Sequence, residues 1–236
     1  MADIALVTGA AGALGAETAR VLARRGCKLV LVDSARGQER LAALGSSVGG
    51  ATCVAGDITD EATWTEILAR SHRELGASPT LAALIAGAWR GGKPLHEEKS
   101  DDVWRAMWSA NVDTVHRALR ALLPDMVERR RGSVVVVGSR AAVQPWTSAG
   151  SAAYAVSKAA VVALAQAVAA EVLGAGVRVN AVLPSTMDTP ANRAAMPTAD
   201  ATRWVTLESA AGVIAFLLSD DARDVSGAAV PVYGRA

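Results

Sequence analysis

The stretch IALVTGAAGALG, Ile4–Gly15, runs from an apolar strand-like segment through a tight glycine-bearing turn into the first residues of an amphipathic helix. The first amides of a helix have no helical carbonyl to bond, so a strand–turn–helix unit aims several N–H groups at one point, where a pyrophosphate fits. Gly9 supplies the turn, Gly12 follows within it, Leu14 opens the buried helix face, and Gly15 lets the helix lie close on the strand. Glycine spacing alone is weak evidence. The context strengthens it, because the next strand ends in Asp33. A carboxylate there accepts hydrogen bonds from the adenosine ribose hydroxyls and repels a 2′-phosphate, which favours NAD(H). Arg36 lies close enough in sequence to pair with such a phosphate, so NADP(H) stays admissible.

Further along, apolar runs alternate with helical patterns. Strands are expected at Ile4–Thr8, Lys28–Asp33, Ala51–Ala55, Leu81–Ala86, Ser133–Val137, Val177–Val182 and Ala228–Val232. None alternates apolar with polar residues, as expected for a parallel sheet covered on both faces. Helix stops are expected at Gly26, Gly76 and Gly174. The pattern predicts an α/β fold, a single Rossmann-type doubly wound parallel sheet of about seven strands flanked by helices. Pro231 removes a ladder donor, so the last strand belongs at a sheet edge. No linker or repeat divides the chain, and residues 1–236 are expected to form one domain.

Bulk composition narrows the partners. The 24 Lys and Arg nearly balance the 23 Asp and Glu, which implies no nucleic-acid partner and no acidic membrane surface. The basic cluster ERRRG, Glu128–Gly132, reads as the charged end of a helix. Cys27 and Cys53 form no CxxC pair and are expected to be buried, reduced thiols. No leader pattern precedes the first strand, and no apolar run is expected to span a bilayer, so the expected location is cytoplasmic. His72, His96 and His116 lack metal-ligand spacing, and no metal site is expected.

YAVSK, Tyr154–Lys158, adds a Tyr-x-x-x-Lys motif. Together with the glycine turn, it resembles the signature of the short-chain dehydrogenase/reductase family. Other pieces match in order: GDITD from Gly56, NVDT from Asn111, VVVVGS ending at Ser139, RVNAVLPSTMDTP from Arg178, and the closing VSGAAVPVYG. Departures are also present. Ala13 stands where the family places its middle glycine, LIAG (Leu84–Gly87) replaces the usual Asn-Asn-Ala-Gly, and Pro184-Ser185 replaces Pro-Gly. The segments Ala86–Gly92 and Val182–Trp204 resemble those of dihydropteridine reductase, a member with a shifted glycine loop that works without the family serine.

The resemblance implies a catalytic set of Asn111, Ser139, Tyr154 and Lys158. It also implies that Asp57 and Ile58 flank adenine, that Ala86 and Gly87 pass beneath the ribose, and that Pro184, Met187 and Thr189 line the nicotinamide and pyrophosphate side. Tyrosine and lysine four apart share a helix face. A phenol of pKa about 10 needs a shift of roughly three units to act as a base near neutrality, and a nearby ammonium favours phenolate. Tyr154 then exchanges a proton with the substrate oxygen, Ser139 hydrogen-bonds that oxygen, Lys158 also holds the nicotinamide ribose, and Asn111 holds a relay water. Ser139 lies fifteen positions before Tyr154, slightly more than is usual in the family.

The implied activity is NAD(H)-dependent interconversion of a small-molecule carbonyl and alcohol. The alternatives are reduction of a dihydropteridine or another C=N bond, and a non-catalytic dinucleotide sensor. Trp89, Arg140, Gln144, Trp146, Met196 and Trp204 are expected in loops around the substrate, while Trp104 and Trp108 form an interface or core stripe. By family habit the chain assembles as a homotetramer or homodimer, through the helix bearing Asn111 and the alanine-rich helix after Tyr154.

Overall fold

A computed structural model describes residues 2–235. Seven strands form one sheet: β1 (Ile4–Thr8), β2 (Lys28–Asp33), β3 (Thr52–Ala55), β4 (Leu81–Leu84), β5 (Gly132–Val137), β6 (Val177–Pro184) and β7 (Ala229–Val232). Their order is β3-β2-β1-β4-β5-β6-β7, and every pairing is parallel. Pro231 pairs across from Leu183 on the outermost strand, where a missing donor costs least.

The helices are α1 (Ala13–Arg24), α2 (Gln38–Ser47), α3 (Glu61–Leu75), α4 (Asp102–Trp108), α5 (Thr114–Glu128), α6 (Ala152–Val172), α7 (Pro190–Ala195) and α8 (Leu207–Leu218). Successive strand residues point to opposite faces, and the core divides accordingly. Ile4, Leu6, Val30 and Val32 pack with α3, α5 and α6, while Ala5, Val7, Leu29 and Leu31 pack with α1, α2 and α8. Both faces are thus covered, which explains the unbroken apolar strand sequences.

Several boundaries differ from expectation. β4 stops at Leu84 because the next two amides leave the ladder for a side chain: the Thr8 hydroxyl accepts from Ile85 N–H at 3.0 Å and Ala86 N–H at 3.1 Å. Gly174 does not stop α6; the chain continues through a 3-10 turn, and the left-handed residue is Gly176, φ 71°. The α3 boundaries are as read, with Asp60 accepting from Ala62 N–H and Gly76 at φ 89°. Cys27 and Cys53 are free but half-buried rather than fully enclosed. One further correction concerns apolar length. The segment Ala152–Ala175, mean hydropathy 1.6, is long and apolar enough to cross a bilayer by composition. Here Val161, Ala165 and Val172 of that helix pack against the sheet.

The order of strands places a topological switch between β1 and β4, with the glycine turn directly above it. A Cβ at Gly15 would run into the Gly9 carbonyl and lie 2.8 Å from Ala10 Cα, both rigid backbone. Gly15→Ala is therefore expected to destabilise the fold by about 1–3 kcal/mol, measured by urea unfolding. An unchanged midpoint would show that α1 can move away from β1 at no cost.

Candidate active site

Above the switch point lies a cleft of about 920 Å³. Gly9 turns the chain at φ 65°, and a Cβ there would approach Ala86 N and Cα at 2.9 Å. Gly12 N–H bonds the Gly9 carbonyl at 3.0 Å, and Gly12 caps α1 with no side chain to offer. Ala16 N–H, bonded to Gly12 O at 2.8 Å, starts the helical ladder. The earlier amides therefore face the cleft without a side-chain cap, as a bound pyrophosphate requires. Gly12, Ala13, Leu14 and Gly15 all line the cleft. Ala13 is exposed there, so its methyl group projects into open space rather than into packed backbone.

Asp33 braces this turn as well as facing the cleft. Its Oδ2 accepts from Ala11 N–H and its Oδ1 from Ser34 N–H, both at 2.8 Å. Oδ1 also accepts from the Ser34 hydroxyl at 3.3 Å, so Oδ2 is the oxygen that keeps a lone pair for a ribose hydroxyl. Arg36 lines the same wall, and so does Arg40, which sequence reasoning missed. Asp57, Ile58, Ala86, Gly87, Met187 and Thr189 also line the cleft. The Asp57 carboxylate accepts from the Thr59 backbone and hydroxyl, contacts that hold it below the usual carboxylate range. Thr189 caps α7 by accepting from Asn192 N–H at 3.1 Å. Pro184 does not reach the cleft wall; it is buried at the end of β6, paired with Val232.

Beside Gly87 lie two of the four expected catalytic side chains, Asn111 and Lys158, while Ser139 meets Tyr154 one helical turn from Lys158; none of the four is among the residues lining the cleft. Asn111 is fully buried in a π-helical turn, Ser109–Asp113, between α4 and α5. Its Oδ1 accepts from Ala88 N–H at 3.0 Å, and its Nδ2 donates to Ala88 O at 3.1 Å and to Ser157 Oγ at 3.0 Å. Ser157 in turn donates to the Tyr154 carbonyl at 2.8 Å. Nothing in the reading of YAVSK singled out this serine; its burial against Asn111 shows only in three dimensions.

Lys158 is 6 % exposed and donates to Val137 O at 2.8 Å. A Cβ at Gly87 would lie 2.6 Å from Asn111 Oδ1 and 3.2 Å from Lys158 Nζ, so the glycine makes room for both. Burial pushes Lys158 down to about 8. Ser139 follows β5, accepts from Ala141 N–H at 3.2 Å and is hydrogen-bonded to Tyr154. Burial raises the Tyr154 pKa, and the Ser139 bond partly opposes this. The expected depression of that phenol is thus corrected for the chain alone: desolvation outweighs the help it receives.

The outer residues are less uniform than expected. Trp89 and Trp146 are exposed, Met196 is partly exposed, and Arg140 lies over the Tyr233 ring at 5.8 Å. Trp204 is buried instead of lining the cleft. Trp104 and Trp108 stack at 6.0 Å on the outside of α4. His72 bonds Ser78, and His96 is exposed.

The pattern of the family described as short chain dehydrogenase matches residues 3–200. The chain belongs to that family. It is 30 % identical over 243 residues to the 2,5-dichloro-2,5-cyclohexadiene-1,4-diol dehydrogenase of Sphingobium indicum, covering 98 % of this chain and 94 % of that one. Identity to the cis-4-hydroxycyclohexanecarboxylate dehydrogenase of Sinomonas cyclohexanicum is 35 % over 240 residues, covering 98 % and 95 %. An NAD+-bound xylitol dehydrogenase of known structure superposes with a TM-score of 0.88 at 27 % identity, covering 98 % of each chain. This short-chain dehydrogenase is accordingly an oxidoreductase acting on alcohol or carbonyl groups. The likeness of its loop segments to dihydropteridine reductase rests on sequence alone.

The buried ammonium has a measurable cost. Between pH 8 and the unfolded lysine pKa of 10.5, the folded chain binds fewer protons at Lys158 than the unfolded chain, so its contribution to stability rises with pH. Lys158→Met is expected to be more stable than the parent at pH 7, on the order of 2 kcal/mol once the lost bond to Val137 is set against it. The gap should narrow from pH 8 to 10.5 in denaturant titrations; a gap independent of pH would mean that the charge is not desolvated.

Proposed function

We propose that this short-chain dehydrogenase interconverts a cyclic secondary alcohol and its ketone with NAD(H), using Tyr154 as general acid and base. The observation that carries the reading is the Tyr154 hydroxyl bonded to Ser139, one helical turn from a buried Lys158 that sits against the cleft residue Gly87. A nicotinamide, when bound, supplies the hydride acceptor or donor. The cleft suits a dinucleotide: bare α1 amides, a glycine turn that admits no Cβ, and Asp33 facing the ribose end. Asp33 supports NAD(H), and the cyclic substrate is supported by the names of the two relatives.

Tyr154 is protonated near neutrality, because desolvation holds its pKa above the ordinary phenol value. It is therefore ready to give a proton to a carbonyl oxygen, while Ser139 donates to the same oxygen as negative charge develops. Oxidation needs the phenolate. Positive charge on Lys158 favours it, and the position of that ammonium is set by Val137 O and the Asn111 turn. A pterin or other C=N substrate is the alternative chemistry, since it places less demand on Ser139. The free thiols fit the reducing cytoplasm. Assembly into a homodimer or homotetramer is supported by α5 and α6, whose outer faces enclose a groove lined by Leu119, Leu123, Val127, Leu164 and Val168.

Assays following nicotinamide absorbance with cyclic ketones and alcohols test these roles. Tyr154→Phe is expected to lose about 10²–10⁴-fold in kcat in both directions. Ser139→Ala should lose about 10²–10³-fold with carbonyl substrates; full activity of this variant on a dihydropterin would favour the C=N chemistry. Binding of NADH with no turnover of any substrate class would instead point to a sensor. With rising pH, oxidation should accelerate, while reduction should hold until the pH passes the ordinary phenol value of about 10, because Tyr154 titrates above it. The same profile for both directions would contradict a single titrating proton carrier.

A further inference from the structure

The sheet edge opposite the dinucleotide cleft bears a second cavity of about 460 Å³, framed by the starts of β4, β5 and β6 and the last turns of α1 and α8. Arg25, Arg130, Arg131, Arg178 and Arg223 stand in its wall against two carboxylates, Asp3 and Asp220. The whole chain carries a formal charge of only +1, so positive charge is locally concentrated here.

Helix capping explains part of this pattern, because α8 ends at the cavity. Arg25 donates to Ala215 O at 2.7 Å, and Arg178 donates to Leu217 O at 2.7 Å, Ser219 O at 2.9 Å, Val225 O at 3.3 Å and Leu218 O at 3.4 Å. Arg130 donates to Gly174 O at 2.9 Å, just past α6. A carbonyl takes an N–H but does not neutralise a guanidinium, and each guanidinium has five donors. Arg131 bonds the wall carboxylate of Asp3 at 2.8 Å, and Arg223 pairs with Asp224 at 3.7 Å. Among the described residues, Arg25, Arg130 and Arg178 form no ion pair, so their charge remains to attract an anion.

Arg130 carries the argument beyond capping. Among the described residues it is the one non-glycine with positive φ, at 52°. Arg130 N–H bonds Val127 O at 3.1 Å and Arg131 N–H bonds Met126 O at 3.0 Å, the bond pattern of a helix end that favours glycine. A long side chain is held there against the local backbone preference, and it places a guanidinium on the cavity wall.

We propose that this cavity binds a small polyanion of the phosphate class, about the size of a diphosphate, with Arg25, Arg130 and Arg223 as its principal partners and Arg178 adding charge from the wall. Five guanidiniums against Asp3, Asp220 and the Asp224 that pairs with Arg223 leave an excess of two positive charges, which such an anion offsets. Planar guanidinium forks carried on separate elements suit several phosphate oxygens at once.

The test measures melting temperature against inorganic pyrophosphate concentration, with ionic strength held constant by sodium chloride. The parent chain is expected to be stabilised by pyrophosphate. Arg130→Gly should melt higher than the parent without ligand, yet bind pyrophosphate about tenfold or more weakly. Arg223→Gln, an exposed change that leaves α5 intact, should weaken binding in the same direction. Pyrophosphate bound instead at the α1 amides would stabilise both variants as much as the parent. That result, or no stabilisation of the parent beyond the sodium chloride control, overturns the proposal.

Discussion

The side-chain amide of Asn111 is buried, and three of its hydrogen bonds join segments that are far apart in sequence. Two of them grip the N–H and C=O of Ala88, standing in for a strand partner just where β4 has ended. The third reaches Ser157, inside the turn of α6 that carries Tyr154 and Lys158. An amide buried without partners would be costly, so satisfying it restricts how the cleft wall and α6 can lie. The π-helical turn is what brings the amide inward at this point, where α4 hands over to α5. Gly87 can then pass close to Asn111 Oδ1 and Lys158 Nζ only because it lacks a Cβ.

Much of the sheet was legible because both its faces are covered. Strands buried on two sides read as continuous apolar runs, and all seven such runs became strands with ends shifted by two residues or fewer. The shifts have local causes. β4 lost two residues to the Thr8 hydroxyl, a competition between side chain and ladder that no propensity contains. Gly174 and Gly176 lie two apart, and only the backbone dihedrals decide which one turns the chain. Arg130 was invisible for the converse reason, since its left-handed backbone contradicts the preference of its own residue type.

The candidate site was legible as a set of residues but not as an electrostatic state. Spacing placed Tyr154 and Lys158 on one helix face, which the structure shares. Spacing did not reveal that the lysine would be so enclosed that burial lowers its pKa, or that burial would raise the tyrosine's. Desolvation depends on everything packed around a group, including β5, Gly87 and the π-helical turn, and these come from distant parts of the chain. Ser157 was missed for the same reason: it gains its meaning from Asn111, a hydrogen-bond partner far away in the chain.

Two departures from the family pattern are absorbed by the same principle, that a change is harmless where the chain meets open space. Ala13 replaces a glycine at the first residue of α1, where its methyl group faces the cleft. Gly9 and Gly15, by contrast, meet backbone at once and admit no substitute. The long interval between Ser139 and Tyr154 is taken up by two short 3-10 turns, Arg140–Ala142 and Pro145–Ser148, the second carrying the exposed Trp146. The slack therefore lies outside the core, and the serine still meets the tyrosine. The proposed chemistry asks only that Ser139, Tyr154 and Lys158 stay together. The intervening chain is free to lengthen wherever it does not have to pack.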